Sequence, residues 1–481
     1  MRSPTRTIAI IGAGFSGTVL AVNLLRLVSA QPLRIVVIES RAQVGRGVAY
    51  QDDGHPHLLN VPAARMSAQS RDPTQFARYA RARDASYRAD QFLPRRLYGE
   101  YLQALLQNAA QSAPAHVRLE RIDARAEQIF CIDPRGPQLV ILSNQQHLVA
   151  DDVVLACGDP PPAAPASAAA ITGHGAYVGD PFSRGALGPE AETVLLLGSG
   201  LTMADVTLAT ASLNPSVRIH AISRHGLLPQ AQTSAPAASV TGDLLSYLPP
   251  GVITARALLR AFRALLTDVE RQQGDWRDAV NLARQGAAVA WQRLSLPQRA
   301  RFLRHLRSRW DVHRHRMPPE SDVRLKALRQ SGQLQLHAGY LLSMSEEAER
   351  IRVHWRERGS QSTQSLLVDR VINCTGTDRR LTQTPHRLLQ ALMAEGLATP
   401  DPLGLGLRTA EHGALIDREG RAAQHLFYVG PMLRAQHWEA TAVAELRAHA
   451  EGLAQALLRI SVSQSAPLVA PAGRLDQLAF K

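Results

Sequence analysis

Apolar positions near the N-terminus fall into two β-rich runs, Thr7-Ile8-Ala9-Ile10-Ile11 and Leu33-Arg34-Ile35-Val36-Val37-Ile38, with the apolar stretch Thr18 to Leu27 between them. A short apolar run, a longer one of helical length and a second short run predict strand, helix, strand. The pattern recurs at mid-chain: Glu192 to Leu197 reads as a buried strand, an apolar helix pattern extends to Leu213, and Val217 to Ile222 is the next strand. Two more β-apolar runs, Val153-Val154-Leu155 and Val371-Ile372-Asn373, end in glycine at Gly158 and Gly376. From about Pro236 to Pro319 the period changes. Leu258, Ala261, Phe262, Leu265, Leu266 and Val269 recur at helical spacing, and Trp291 to Leu306 continues in that style until Met317-Pro318-Pro319 stops it. The Ala/Pro/Ser stretch Pro160 to Ala170 reads as a flexible crossing.

The strand-to-helix junctions carry the chemistry. In Gly12-Ala13-Gly14-Phe15-Ser16-Gly17, Gly12 makes the tight turn, Gly14 lets the backbone approach a pyrophosphate, and Gly17 lets the helix pack close. The helix N-terminus offers N–H donors and partial positive charge. Glu39, closing the second strand, is placed to accept hydrogen bonds from a ribose diol. The mid-chain unit has Gly198-Ser199-Gly200-Leu201-Thr202, with Met203 or Ala204 in place of the third glycine, which loosens the helix packing. Its second strand ends in Ser223-Arg224-His225. An arginine there suits a 2′-phosphate and favours NADPH over NADH; the alternative is that Arg224 merely solvates a strand end.

The fold class expected is therefore α/β, with two Rossmann-like dinucleotide-binding domains and a helical insertion in the second. The first domain would span 1–170 and 371–470, the second 190–235 and 329–370, and the insertion 236–328.

At 481 residues, 45% of them hydrophobic and 20% charged, the chain is long enough for more than one core. No stretch approaches the roughly 20 apolar residues of a membrane span, and the N-terminal run is too short and strand-like for a signal peptide. A cytoplasmic location, with no membrane partner, is the default. Net charge is +13, yet among 54 basic residues only Lys326 and Lys481 are lysine, the rest being arginines spread along the chain. No basic block with interleaved aromatics stands out, so no nucleic-acid partner is expected; a positive field still steers small anions.

Cys131, Cys157 and Cys374 lie far apart without CxxC spacing, which argues against a disulfide framework or a zinc site. Cys157 and Cys374 read as small buried residues. The alternation His313-Arg314-His315-Arg316 lacks an acid to complete a metal site, so no metal is assigned. It either meets solvent or, if the helix end faces a cleft, lets Arg314 or Arg316 hold a substrate anion bidentately.

Five phrases carry a wider resemblance: Gly45-Arg46-Gly47-Val48-Ala49-Tyr50, Leu58-Leu59-Asn60-Val61-Pro62, Gly198 to Thr202, Ser223-Arg224-His225-Gly226-Leu227-Leu228-Pro229, and Trp438-Glu439-Ala440-Thr441-Ala442. On these the chain resembles, over nearly its whole length, the two-dinucleotide-domain flavoproteins, which include flavin-containing monooxygenases, amino-acid N-hydroxylases and Baeyer–Villiger enzymes. More narrowly it is similar to a bacterial FAD-NAD(P)-binding group containing an FAD-dependent urate hydroxylase and an aspartate N-oxygenase.

The resemblance implies FAD on the first unit and NAD(P)H on the second. Cofactor contacts would come from Gly12, Gly14, Ser16, Gly17, Glu39, Gly158, Gly198, Gly200, Thr202, Arg224, Gly376 and Gly430. Pro431 stands where many relatives carry an acid for the ribityl chain. Asn60, followed by Met66 and Arg71-Asp72-Pro73, matches an asparagine that lies over the flavin ring in related monooxygenases; otherwise it caps a turn. Asn60 and Arg316 are the candidate catalytic residues. The segment Thr172 to Pro181 matches the oxygenating relatives' linker fingerprint only loosely.

The function this implies is monooxygenation of a small anionic nitrogen-containing substrate by O2 through a flavin C4a-hydroperoxide. Urate hydroxylation, in purine catabolism, is the first expectation. Amino-acid N-hydroxylation and an FAD-dependent NAD(P)H reductase without oxygenation are the alternatives. A homo-oligomer stays open.

Overall fold

The computed structural model describes residues 5–464, apart from positions 28, 30, 53, 56, 132–135, 184, 234–238 and 379. The expected insertion start at 236–238 and the expected domain end at 465–470 lie outside the described residues.

Three sheets organise the chain. The first contains Arg6–Ile11 (β1), Leu33–Ile38 (β2), Val117–Ile122 (β3), Asp152–Leu155 (β7), Ala414–Ile416 (β15) and Ala422–Tyr428 (β16), in the order β15-β16-β7-β1-β2-β3. All its pairings are parallel except β15 with β16. The small antiparallel sheet of Ala126–Cys131 (β4), Gln138–Leu142 (β5) and His147–Ala150 (β6) sits between β3 and β7 in the chain. The second large sheet contains Tyr177–Val178 (β8), Thr193–Leu197 (β9), Arg218–Ser223 (β10), Leu334–Glu347 (β11), Arg350–Glu357 (β12), Thr363–Val368 (β13) and Arg370–Asn373 (β14). Its order is β13-β12-β11-β10-β9-β14-β8.

The central strands of both large sheets are buried almost without interruption, as parallel strands covered on both faces must be. Phe15–Arg26 (α1) covers the first sheet together with Arg95–Gln111 (α3) and Val443–Gln464 (α11); Gln75–Arg83 (α2) packs on α3. Leu201–Leu213 (α4) covers the second.

Each large sheet has one strand with a later strand on either side. β1 lies between β2 and β7, and β9 between β10 and β14. Such reversal points open a crevice at the strands' C-terminal ends, where α/β proteins bind ligands. Gly12 and Gly198 sit directly at these two crevices.

Two differences from the sequence reading follow from packing. Val371 and Ile372, assigned above to the first domain, are fully buried in the second sheet, where β14 pairs with β9 and β8. The return to the first unit comes later, through Arg387–Ala394 (α10), whose Leu388, Leu389 and Leu392 join that core. The supposedly flexible Pro160 to Ala170 stretch instead enters a 3-10 turn over Ala166–Ile171, because Ala168 and Ile171 are fully buried among the apolar residues of the second sheet.

The insertion is helical: Ala255–Arg271 (α5), Trp276–Gln292 (α6), Leu296–His305 (α7) and Arg307–Arg314 (α8), followed by Pro319–Gln330 (α9). Thr254 caps α5, and Asp275 with Asp278 forms a capping box on α6. The Trp291 to Leu306 pattern is broken after Gln292 because Ser295-Leu296-Pro297 starts a new helix, with proline in its first turn. Among the described residues no helix is long and apolar enough to cross a membrane.

Candidate active site

The first cradle is built by backbone. Gly12 has φ +104°, and a Cβ there would lie 2.6 Å from the Ala156 carbonyl oxygen that follows β7. A Cβ on Gly17 would lie 2.0 Å from the Gly12 carbonyl oxygen, so α1 approaches its turn as closely as only glycine allows. Gly14 caps α1 with no side chain satisfying the first N–H groups, and Ser16 stands in the first turn. Glu39 is buried; its Oε2 accepts from the Ala13 N–H at 3.0 Å and its Oε1 from the Arg41 N–H at 2.9 Å. The carboxylate is thereby held at the rim of the phosphate turn with lone pairs to spare for a diol.

Arg46 was quoted above only as part of a phrase, yet it belongs to this cradle. The Gly45 N–H donates to the Ala13 carbonyl at 2.7 Å, and Gly47 lies against Gly14, folding residues 45–47 over the turn. Arg46 Nε donates to Gln103 at 3.0 Å, and among the described residues its buried Nη1 has no partner. A dinucleotide's pyrophosphate fits that donor set. The spacing of the phrase from Gly14 could have signalled this; the loop's fold-back could not be read from it.

The second cradle repeats the first. A Cβ on Gly198 would lie 2.6 Å from the Cys374 carbonyl, as Gly12 meets Ala156. Gly200 caps α4 without a side-chain partner, and Thr202 is in the first turn. Met203, where the first unit has Gly17, is fully buried in the second core. Ser199 Oγ donates to the Leu227 carbonyl at 2.7 Å and lies 2.8 Å from Ser223 Oγ, tying the turn to the strand end that carries Arg224. A cavity of about 410 Å³ opens here, lined by Gly200, Arg224, Gly376, Arg380 and, from α8, Arg307 and Asp311. Arg224 is exposed along its wall.

The two crossing segments meet between the cradles. Thr377 Oγ1 donates to Asp159 Oδ2 at 3.1 Å, placing Gly158 and Gly376 side by side. Tyr428 Oη donates to the Gly158 carbonyl at 3.2 Å and accepts from the Met432 N–H at 3.0 Å across the Gly430 turn. Arg95 clamps the units: its Nε donates to the Leu58 carbonyl at 3.0 Å and its Nη2 to Asp205 of α4 at 2.6 Å. Asn60, two residues on, accepts from Gln232 Nε2 at 3.3 Å through its carbonyl, and its side-chain amide makes no hydrogen bond among the described residues. Cys157 and Cys374 lie at the two crossings as inert thiols; burial pushes Cys157 up to about 12 and Cys374 higher still.

Behind α8 lies a buried charge cluster. Arg314 and Arg316 do not face solvent; they are 8% and 5% exposed. Arg314 Nε donates to Glu439 Oε2 at 2.5 Å, Trp310 Nε1 to Glu439 Oε1 at 3.1 Å, and Arg284 Nη2 to Glu445 at 2.5 Å. Arg316 Nη2 donates to Asn281 at 2.7 Å. Arg434 stacks on Trp438 at 4.0 Å and reaches Asp311 at 3.5 Å. Burial would raise the Glu439 carboxyl, but Arg314 and Arg284 outweigh it and hold the group below the usual carboxylate range. Burial, with repulsion from Arg314, Arg277 and Arg284, brings Arg316 down to about 10. His315 is pushed down to about 3 by burial and by Arg314, and is neutral near pH 7. Arg284, Arg314, Arg316 and Arg434 outnumber Glu439, Glu445 and Asp311; among the described residues, buried Arg314 Nη2 and Arg316 Nε have no acceptor, and Glu445 Oε2 and Asp311 Oδ1 no hydrogen-bond donor. Such a surplus of buried cation suits an anionic guest.

Two cradles of this kind, at the reversal points of two large sheets, give the chain a two-dinucleotide-domain fold. Residues 9–160 match the FAD-NAD(P)-binding family model. The fold is similar to that of L-lysine 6-monooxygenase from Pseudomonas syringae (19% identity, 95% of this chain and 99% of that one, TM-score 0.64). It is also similar to an ornithine hydroxylase from Pseudomonas aeruginosa (15%, 94% and 98%, TM-score 0.62). A cadaverine monooxygenase from Erwinia amylovora compares at 15% identity, over 99% of this chain and 97% of that one, with TM-score 0.61. At these identities the likeness establishes the fold. No curated protein matches the chain in sequence.

Proposed function

We propose that the protein is an FAD-dependent, NADPH-consuming monooxygenase that hydroxylates the nitrogen of a small amine bearing an anionic group. The observation that carries this reading is the buried, under-neutralised arginine cluster set directly behind the coenzyme cavity. Amino-acid N-hydroxylation thus takes the place of urate hydroxylation as first reading. The three structurally similar enzymes are named for amine substrates, and none for a purine. The overall reaction balances as amine, O2, NADPH and a proton giving hydroxylamine, water and NADP+.

Bound FAD supplies the redox chemistry and the activation of oxygen. The chain's own residues do the rest. Gly12, Gly14, Gly17, Ser16 and Arg46 hold the pyrophosphate and Glu39 the ribose, while Gly200, Thr202 and Arg224 hold the second dinucleotide. Asn60 offers an amide that donates and accepts without exchanging a proton. Arg316 and Arg314 orient the substrate's anionic end, and α8 keeps water from the site. The inert thiols at the crossings weigh against a dithiol reductase.

The test is NADPH oxidation with product analysis against a panel of amines, amino acids and urate. A hydroxylamine formed in step with NADPH consumption supports the reading. Consumption yielding only hydrogen peroxide, or a hydroxylated purine, overturns it. A second expectation concerns coenzyme choice. Arg224→Ala should raise the KM for NADPH about 10- to 100-fold, the worth of a charge-assisted hydrogen bond or two, and leave that for NADH within about twofold. Steady-state kinetics with both coenzymes checks this; equal effects would show that Arg224 does not read the 2′-phosphate.

A further inference from the structure

The insertion holds a second concavity that the coenzymes do not account for. It is a cleft of about 320 Å³ between α5, α6, α7 and α8, at the lower end of small-molecule pockets. Its walls are almost wholly apolar, and they gather Trp276, Trp291, Trp310 and Trp438, four of the chain's five tryptophans, with Phe262 and Phe302. Trp291, Phe302 and Trp438 are buried in the insertion's core, with Phe262 and Trp310 packed against it, and the cleft opens beside them. Interiors normally close such spaces, since unfilled apolar volume forfeits packing.

Two of the indole N–H groups are satisfied by the protein itself. Trp291 Nε1 donates to the Ala435 carbonyl at 3.0 Å and Trp310 Nε1 to Glu439. Trp291 stacks on Trp438 at 4.6 Å between ring centroids, and Phe302 meets both edge-on. Trp438 is 3% exposed, and among the described residues its buried Nε1 has no acceptor. At the mouth stand the exposed guanidinium groups of Arg263 and Arg309, which disfavour a cationic tail.

The cleft also shares a wall with the coenzyme cavity. One helix, α8, lines both spaces: Arg307 and Asp311 face the coenzyme cavity, and Trp310 and His313 face the cleft. Trp438 joins them, carrying Arg434, which reaches Asp311, on its face.

We infer that this cleft holds the hydrophobic, ring-sized body of the substrate. The ligand class is an arylalkyl amino acid or similar amphiphile, in contrast to linear lysine or cadaverine. Calling the ligand a substrate rests on the monooxygenase reading; the binding itself does not.

The test uses the flavin-loaded full chain and two readouts, tryptophan fluorescence and titration calorimetry. L-Homophenylalanine is the probe, with L-lysine and cadaverine as controls. Homophenylalanine should perturb the emission and bind at least tenfold more tightly than either control, an aromatic ring's worth of burial. Ala287→Phe, which fills the cleft from α6, should weaken that binding tenfold or more with flavin content unchanged. If that variant fails to fold, Phe262→Ala, on the half-buried wall, should weaken it about fivefold. Equal affinity for lysine, or full affinity in the filled variant, overturns the inference. Tight, cleft-dependent binding without any hydroxylated product leaves the cleft standing and sinks the monooxygenase reading instead. Hydroxylation of lysine unaffected by Ala287→Phe does the reverse.

Discussion

Gly17→Ala is expected to yield a protein that purifies almost without flavin. The new Cβ would fall 2.0 Å from the Gly12 carbonyl oxygen and 3.1 Å from Ala156 Cβ. The first of these is backbone and belongs to the turn itself, so no side chain can swing away to make room. The helix must instead move off β1, carrying with it the N-terminal N–H groups that face the pyrophosphate. Overpacking of this kind costs about 1–3 kcal/mol of stability. The larger effect is on the cofactor, where we expect flavin affinity to fall at least 100-fold, since several phosphate hydrogen bonds are lost together. The ratio of flavin to protein absorbance after purification, and FAD titration of the apoprotein, measure it. Stoichiometric flavin in the variant would mean that the close approach of α1 is not what forms the site.

The second large effect is expected at Glu439. Its carboxylate accepts from Arg314 and Trp310 and lies 3.5 Å from Arg284 Nε, at 6% exposure. Glu439→Ala leaves buried Arg314 without its counter-charge, while Arg284 keeps Glu445, and removing one member of such a buried pair costs about 3–5 kcal/mol. Glu439→Gln keeps the shape and one acceptor and should cost less. Because Arg314 and Arg284 hold the native carboxyl below its usual range, its stabilising effect is present above the unfolded value, near 4.3, and is lost as pH falls through the folded one. The wild-type protein should therefore lose stability on acidification that Glu439→Gln no longer has to lose. Denaturant titrations at pH 7 and at successively lower pH below 4, followed by tryptophan fluorescence, give both numbers. An alanine variant as stable as the wild type would show that the arginines are neutralised by another route.

These two residues mark how far the chain could be read unaided. Gly17 was legible because its role is local. A strand, a turn and a helix are contiguous, and the spacing of glycines states where backbone must touch backbone. Glu439 was legible only as one letter in a shared phrase. Its partners Arg284, Arg314 and Trp310 come from helices more than a hundred residues earlier, and no periodicity links them. Arg316 shows the same limit from the other side. The alternation His313 to Arg316 allowed either a solvated face or an anion site, and the burial of Arg316 against Asn281 and Trp276 removed the solvated option.

What contiguous spacing specified was the pair of dinucleotide cradles, the acid that ends one second strand and the arginine that ends the other, and hence an α/β fold with two dinucleotide-type turns. Strand period and glycine position act over a dozen residues and need no knowledge of the rest of the chain. What packing alone supplied was the company those cradles keep. That includes β14 in the second sheet, Arg46 folded over the first turn, the arginine cluster behind α8, and four tryptophans from positions 276 to 438 drawn around one cleft. Those are properties of buried surfaces brought together from distant segments. A buried cation or a buried indole acquires its meaning only when the neighbours that exclude water from it are in place.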